Sequence, residues 1–71
     1  MHRMIIKEEK LIENEKDYTR EQISGSFEGE EFVLHRTNDS RESRLEVFIN
    51  YSNAEDEDLI EMYYESNYDY V

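Results

Sequence analysis

The sequence predicts an α+β fold, in which a three-stranded antiparallel sheet is packed with an N-terminal helix and an acidic C-terminal helix. Three strand-like segments follow one another between residues 18 and 51, with turn-forming residues between them. The segment after residue 51 has the acidic start and apolar spacing of a helix. A chain of 71 residues forms one small domain at most, which we take as residues 1–71.

The N-terminal helix is expected over residues 3–16. This stretch contains no Gly or Pro and is rich in Glu and Lys, which favours a helix. Apolar residues recur at intervals near seven, at Met4, Leu11 and Tyr18. A short strand that starts at Met4 is the alternative.

The three predicted strands cover residues 18–27, 31–37 and 44–51. Alternation is clearest in the last, where Leu45, Val47, Ile49 and Tyr51 are expected on one side. In the second strand, Phe32 and Leu34 are expected to share one face with Arg36, and Val33 and His35 the other face. Together the three strands form a meander, which needs a helix on its apolar face.

Glycine and turn-forming residues mark the connections. Gly25, within the first predicted strand, indicates a bulge or a close approach of backbone. Gly29 can adopt a positive φ in the turn at residues 28–30. Residues 38–43 are rich in Asn, Asp and Ser, so a hairpin is expected there.

The C-terminal helix is predicted over residues 54–66. Ser52 and Glu55 have the spacing of a capping box, and the following acids suit the positive end of the helix dipole. Ile60, Tyr63 and Tyr64 are expected to form its core face at i, i+3 and i+4.

Charge is distributed very unevenly along the chain. The chain has 19 acids and 8 Lys and Arg residues, for a net charge of -11, and every base precedes residue 45. Residues 1–51 hold 12 acids and 8 bases, or -4, whereas residues 52–71 hold seven acids and no base, or -7. Such asymmetry predicts a surface for a basic partner and disfavours direct binding to nucleic acid or anionic membranes.

Other functional classes receive little support from the sequence. There is no cysteine, no serine–histidine–acid pattern and no EF-hand spacing, so we expect no enzyme, no metal site and no cofactor. His35 is expected to be an edge or surface histidine. The chain has no apolar run of membrane-spanning length, and a cytoplasmic location is expected.

The predicted partner-binding surface combines the acids and tyrosines of the C-terminal part. Acids on successive helical turns have Cβ atoms about 5–6 Å apart, which approaches the roughly 7 Å between phosphates along a nucleic-acid strand. Tyrosines provide rigid contact area and a face for arginine. The candidate residues are Glu55, Asp56, Glu57, Asp58, Glu61, Glu65, Tyr68, Asp69 and Tyr70.

The chain resembles small acidic DNA-mimic proteins of phages, and among them the type II-A anti-CRISPR proteins. The resemblance lies in the predicted order of a helix, a three-stranded meander and an acidic helix. The residues that support it are Lys16-Asp17-Tyr18-Thr19, Ser24-Gly25, and the acid-and-tyrosine run over residues 55–64. The resemblance implies that residues 55–58 and Glu61 meet the basic side chains with which a CRISPR effector nuclease reads the PAM. The C-terminal part has room for one acidic helix rather than two, which leaves the target open.

The predicted function is therefore inhibition by binding. The chain would occupy the basic DNA-binding groove of a host defence enzyme, with a CRISPR effector nuclease as the leading candidate. The partner would be a larger basic nucleic-acid-binding protein, and the chain itself a monomer or homodimer in the host cytoplasm. The alternative is an interaction protein without nucleic-acid mimicry, such as an antitoxin or an assembly subunit.

Overall fold

A computed structural model describes residues 4–68, with side chains described through residue 65. The fold is α+β, with a four-stranded antiparallel sheet followed by one C-terminal helix. The strands follow one another in the sheet in the order of the sequence, β1-β2-β3-β4. The elements are β1 (Met4–Glu15), β2 (Tyr18–Phe27), β3 (Glu30–Asp39), β4 (Ser43–Asn50) and α1 (Asp56–Tyr68).

The predicted N-terminal helix is wrong, because this segment forms the twelve-residue edge strand β1. β1 pairs with β2 along its whole length, from Met4 opposite Phe27 to Glu15 opposite Tyr18. Its register shifts twice, between Ile6 and Glu8 and again between Leu11 and Glu13. Pairing with a neighbouring strand thus overrides the helix propensity of a Glu- and Lys-rich segment.

Gly25 permits the close packing of β1, β2 and β3. A Cβ atom at this position would lie 2.4 Å from the carbonyl oxygen of Ile5 and 2.8 Å from Cζ of Phe32. The predicted close approach of backbone at Gly25 is confirmed. The residue lies opposite Ile6, directly beside the first register shift of β1.

Both predicted turns of the meander are present. Glu28 and Gly29 both have positive φ, 52° and 82°, as in the two-residue turns that match the twist of a hairpin. Between β3 and β4, the carboxylate of Asp39 accepts hydrogen bonds from the backbone N–H groups of Arg41 (2.7 Å) and Glu42 (2.9 Å). These bonds to the ionised carboxylate lower the pKa of Asp39.

One face of the sheet contacts α1, and the other face is uncovered in the described part of the chain. The buried apolar side chains all belong to the covered face and the helix: Ile23, Phe27, Phe32, Leu34, Leu45, Leu59 and Tyr63. We call the other side of the sheet the open face. Strand pairing places on it Ile5, Glu8, Lys10 and Glu13 of β1, Arg20, Gln22, Ser24 and Ser26 of β2, Glu31, Val33, His35 and Thr37 of β3, and Arg44, Glu46, Phe48 and Ile49 of β4. Two further residues belong to this face through Glu31: Lys7 forms a salt bridge with its carboxylate (3.6 Å), and the backbone N–H of Tyr51 donates to the carbonyl oxygen of Glu31 (2.9 Å).

We expect Gly25→Ala to destabilise the fold by about 1–3 kcal/mol, since the added methyl group overpacks a site bounded by backbone. Gly29→Ala is the matched control, because a Cβ there meets nothing within 4 Å and only the positive φ is strained. Urea unfolding monitored by circular dichroism measures both variants. A larger loss for Gly29→Ala would contradict the packing role of Gly25.

Candidate functional site

Asn50, the last residue of β4, positions the start of α1. Its side-chain oxygen accepts hydrogen bonds from the backbone N–H (2.9 Å) and hydroxyl (2.6 Å) of Ser52. Its amide nitrogen donates to the carbonyl oxygen of Ala54 (2.8 Å) and to the carboxylate of Asp56 (2.9 Å). The predicted capping box is therefore wrong: Ser52 belongs to this loop, and the first helical hydrogen bond runs from Leu59 to the carbonyl of Glu55.

The helix faces the sheet through Leu59 and Tyr63, which are one turn apart and almost fully buried. The predicted core face was partly wrong. Tyr63 is buried as expected and Ile60 is half-buried, but Tyr64 is 48% exposed. The ring of Tyr64 meets that of Tyr63 edge-to-face, with centroids 6.2 Å apart. Tyr64 thereby joins the exposed surface of the helix, a role that the spacing of apolar residues did not indicate.

A polar network under the helix fixes its rotation. The hydroxyl of Tyr63 accepts a hydrogen bond from the guanidinium of Arg36 and donates one to the carboxylate of Glu9 (2.9 Å). The guanidinium lies 5.3 Å from the centroid of the Tyr63 ring and also contacts the carboxylate of Glu21 (3.4 Å). One tyrosine thus connects the helix to β1 and β3, and through Arg36 to β2.

The predicted acids of the helical segment are brought together on one exposed surface, which we call the acidic surface. All six are exposed, and no base lies between residues 52 and 68. The side chain of Tyr68, and Asp69 and Tyr70 altogether, lie outside the described residues. The acidic surface consists of Glu55, Asp56, Glu57, Asp58, Glu61 and Glu65.

Helix stability explains only part of the acidic surface. Acids in the first turn are stabilised by the positive end of the helix dipole, which covers Asp56, Glu57 and Asp58. Glu61 and Glu65 lie beyond that turn, and no base is present in the last turn. Like charges four residues apart destabilise a helix by about 0.2–0.5 kcal/mol per pair, and Glu57, Glu61 and Glu65 form two such pairs. This row of three glutamates therefore lowers the stability of the helix on which it lies.

The open face differs sharply from the acidic surface in charge. Its central part has four acids and four bases, and several are paired within the chain. Salt bridges join Arg20 to Glu13 (3.8 Å) and Arg44 to Glu46 (3.8 Å). The fold therefore separates a negative helix side from a nearly neutral sheet side. The charges counted on the open face are Lys7, Lys10, Arg20, Arg44, Glu8, Glu13, Glu31 and Glu46.

The prediction of an edge or surface position for His35 is wrong. This histidine lies on the inner strand β3 and is only 9% exposed, because Phe48 stacks on its ring with centroids 4.2 Å apart. Its Nε2 lies 3.4 Å from the amide oxygen of Gln22. Burial lowers the pKa of His35, and the positive charge of Arg20 lowers it further, while Glu46 acts in the opposite direction.

Comparisons with known proteins gave no match: no protein-family model, no curated protein sequence and no solved structure matches the chain.

Two kinds of feature are absent from residues 4–68. Within this range, no helix is long and apolar enough to cross a membrane. Among the same residues, no group of three or more His, Asp or Glu side chains has an arrangement that could hold a metal ion.

We expect Tyr63→Phe to lower the free energy of unfolding by about 1.5–3 kcal/mol, because its hydroxyl bonds to two charged groups. Tyr64→Phe is the control, since that neighbouring ring is half exposed. Urea denaturation of both variants gives the comparison. Equal losses would show that the hydroxyl of Tyr63 does not anchor the helix.

We expect acidification to destabilise the fold through His35. The fold favours the neutral form of His35, because its pKa is lowered there. The stabilisation that His35 contributes is therefore fully present above the unfolded pKa of about 6.5. It is lost as the pH falls from there toward the lowered pKa of the folded state. When the pH is lowered from 7.5 to 5.5, the Tm of the wild type should therefore fall by more than the Tm of His35→Gln. His2→Gln is the control for the other histidine, and a pH-independent difference for His35→Gln would exclude the effect.

Proposed function

We propose that the chain is an acidic DNA mimic that inhibits a nucleic-acid-binding host defence enzyme by placing α1 in its basic groove. The resemblance to type II-A anti-CRISPR proteins makes a CRISPR effector nuclease the first target to test. The proposal rests mainly on one observation: α1 and the residue before it present six exposed carboxylates and no base, although two like-charge pairs oppose helix stability.

The spacing of the acids supports this proposal. Glu57, Glu61 and Glu65 are four residues apart on a helix with a rise of about 1.5 Å per residue, so successive carboxylates are about 6 Å apart along the axis. Lys and Arg side chains that hold successive phosphates can therefore meet successive carboxylates. Asp58 broadens the row on one side.

Tyr64 provides a contact of a different kind beside the acids. An exposed tyrosine adds rigid contact area, and its ring face attracts an arginine guanidinium. Aromatic residues of this type often dominate the energy of an interface, whereas surrounding charges mostly accelerate association. We assign Tyr64 to the partner-binding set together with the acidic surface.

The rigid attachment of α1 also favours binding. A helix fixed by Leu59, Tyr63 and Asn50 presents its carboxylates in one arrangement before the partner arrives. Pre-organisation of this kind reduces the entropy lost on binding. The attachment uses the carboxylate of Asp56, which bonds to Asn50, whereas Glu57, Glu61 and Glu65 remain exposed.

We expect Glu57→Lys combined with Glu61→Lys to weaken target binding by roughly 100-fold or more, where tenfold corresponds to about 1.4 kcal/mol. Both side chains are exposed, and neither belongs to the Asn50 loop. Glu15→Lys combined with Asp17→Lys, at the β1–β2 turn, makes the same change in net charge away from the helix. Equal losses for the two double variants would show that only overall charge matters.

The direct test uses a purified type II-A effector loaded with guide RNA. Inhibition should appear as loss of DNA cleavage, and PAM-containing duplex should compete with the chain for the effector, with binding that weakens as salt rises. If this effector is unaffected, a pull-down from host lysate, eluted by salt with and without duplex DNA, separates the remaining cases. A nucleic-acid enzyme excluded by DNA would support mimicry of another target. A partner indifferent to DNA would support the antitoxin or assembly role.

A further inference from the structure

The open face has an apolar region beside β4 that no element of the described chain covers. Phe48 and Tyr51 are 61% and 69% exposed. Val33 and Ile49 pair with each other beside Phe48, and the backbone N–H of Tyr51 continues the pairing by bonding to the carbonyl oxygen of Glu31 (2.9 Å). Phe48 is held flat against the ring of His35, so this aromatic surface is ordered. Large exposed apolar side chains grouped in this way are typical of interaction surfaces.

Charge indicates which partner fits this face. The whole chain has a net charge of -11, so two copies repel each other when their helices approach. The open face, in contrast, has four acids and four bases, and Arg20 pairs with Glu13 while Arg44 pairs with Glu46. A second copy therefore meets the least repulsion here and offers both signs of charge for pairing.

The size of the face is sufficient for a dimer. Four strands spaced by about 4.8 Å and ten residues rising about 3.3 Å each give a projected area of roughly 600 Å². Two such faces remove about 1,200 Å² from solvent, which is at the lower end of specific, stable interfaces.

Packing of the two faces is favoured over pairing of the strand edges. The register of β3 and β4 shifts between Val33 and Leu34, opposite Phe48, and β1 has two shifts of its own. Irregularities of this kind at edge strands hinder continuation of the sheet into another chain. Twisted sheets instead stack face to face, about 10 Å apart.

We propose that two copies of this chain associate through their open faces as a sheet-on-sheet sandwich. The two α1 helices then lie on opposite outer sides, so that each dimer presents two acidic surfaces. This proposal does not depend on the identity of the target.

The test is the mass of the purified chain by light scattering across a concentration series. We expect a shift from 8.7 kDa to twice that mass, 2 × 8.7 = 17.4 kDa, and a stronger dimer in 300 mM than in 20 mM NaCl because salt screens the repulsion between copies. Phe48→Ser and Tyr51→Ser should each weaken the dimer about tenfold or more. Tyr64→Ser is the matched control on the helix and should leave the dimer unchanged.

Two outcomes would overturn the proposal. One is a mass of 8.7 kDa at every concentration up to about 1 mM in high salt. The other is a dimer that is weakened by Tyr64→Ser but is not weakened by Tyr51→Ser. Circular dichroism shows whether each variant is folded. If Phe48→Ser does not fold, Tyr51→Ser alone tests whether the open face forms the dimer interface. Binding of the target should persist in Tyr51→Ser, so loss of the dimer is distinguishable from loss of inhibition.

Discussion

The contact between Arg36 and Tyr63 determines how the two layers of this protein fit together. A buried tyrosine hydroxyl needs hydrogen-bond partners, and Arg36 and Glu9 supply them from two different strands. The guanidinium in turn needs negative charge, which Glu21 provides. Without this network the apolar contacts of Leu59 would hold α1 near the sheet without selecting one rotation. The network thus decides which side chains of the helix face the solvent.

The rotation of α1 determines which charged side chains are available to a partner. The outward side of α1 consists of acids and Tyr64, whereas the open face on the far side of the sheet is nearly neutral. A protein whose charge served only solubility could distribute its acids over both sides. The concentration of negative charge on one helix agrees with a role in binding a basic surface. The neutral side is then available for contacts of another kind.

Much of this arrangement could be predicted from residue patterns. The last strand near residues 44–51, the turn at Gly29 and the helix near residues 54–66 are local features, and each is present. The predicted alternation of the last strand holds only as far as Val47, because the register shift beside Phe48 moves Ile49 and Tyr51 to the open face. β1 was missed because its two register shifts interrupt the period of two expected in a strand. Tyr64 was wrongly placed in the core face, and Leu59 was not included in it, because neighbouring faces of a helix can fit the same spacing. The choice between them depends on Arg36, which is 27 residues away from Tyr63.

The order of the strands has a consequence for how the chain folds. Each strand pairs with its neighbour in sequence, so the sheet can form by successive closure of short loops, a topology associated with rapid folding. The bond between Tyr63 and Glu9 is different, since 54 residues separate its partners. On the ribosome the four strands emerge before α1, so the sheet can assemble early, whereas Tyr63 reaches Glu9 only after α1 has emerged. Of the five elements described, the acidic helix is the last to dock, and the core between sheet and helix closes only when it does.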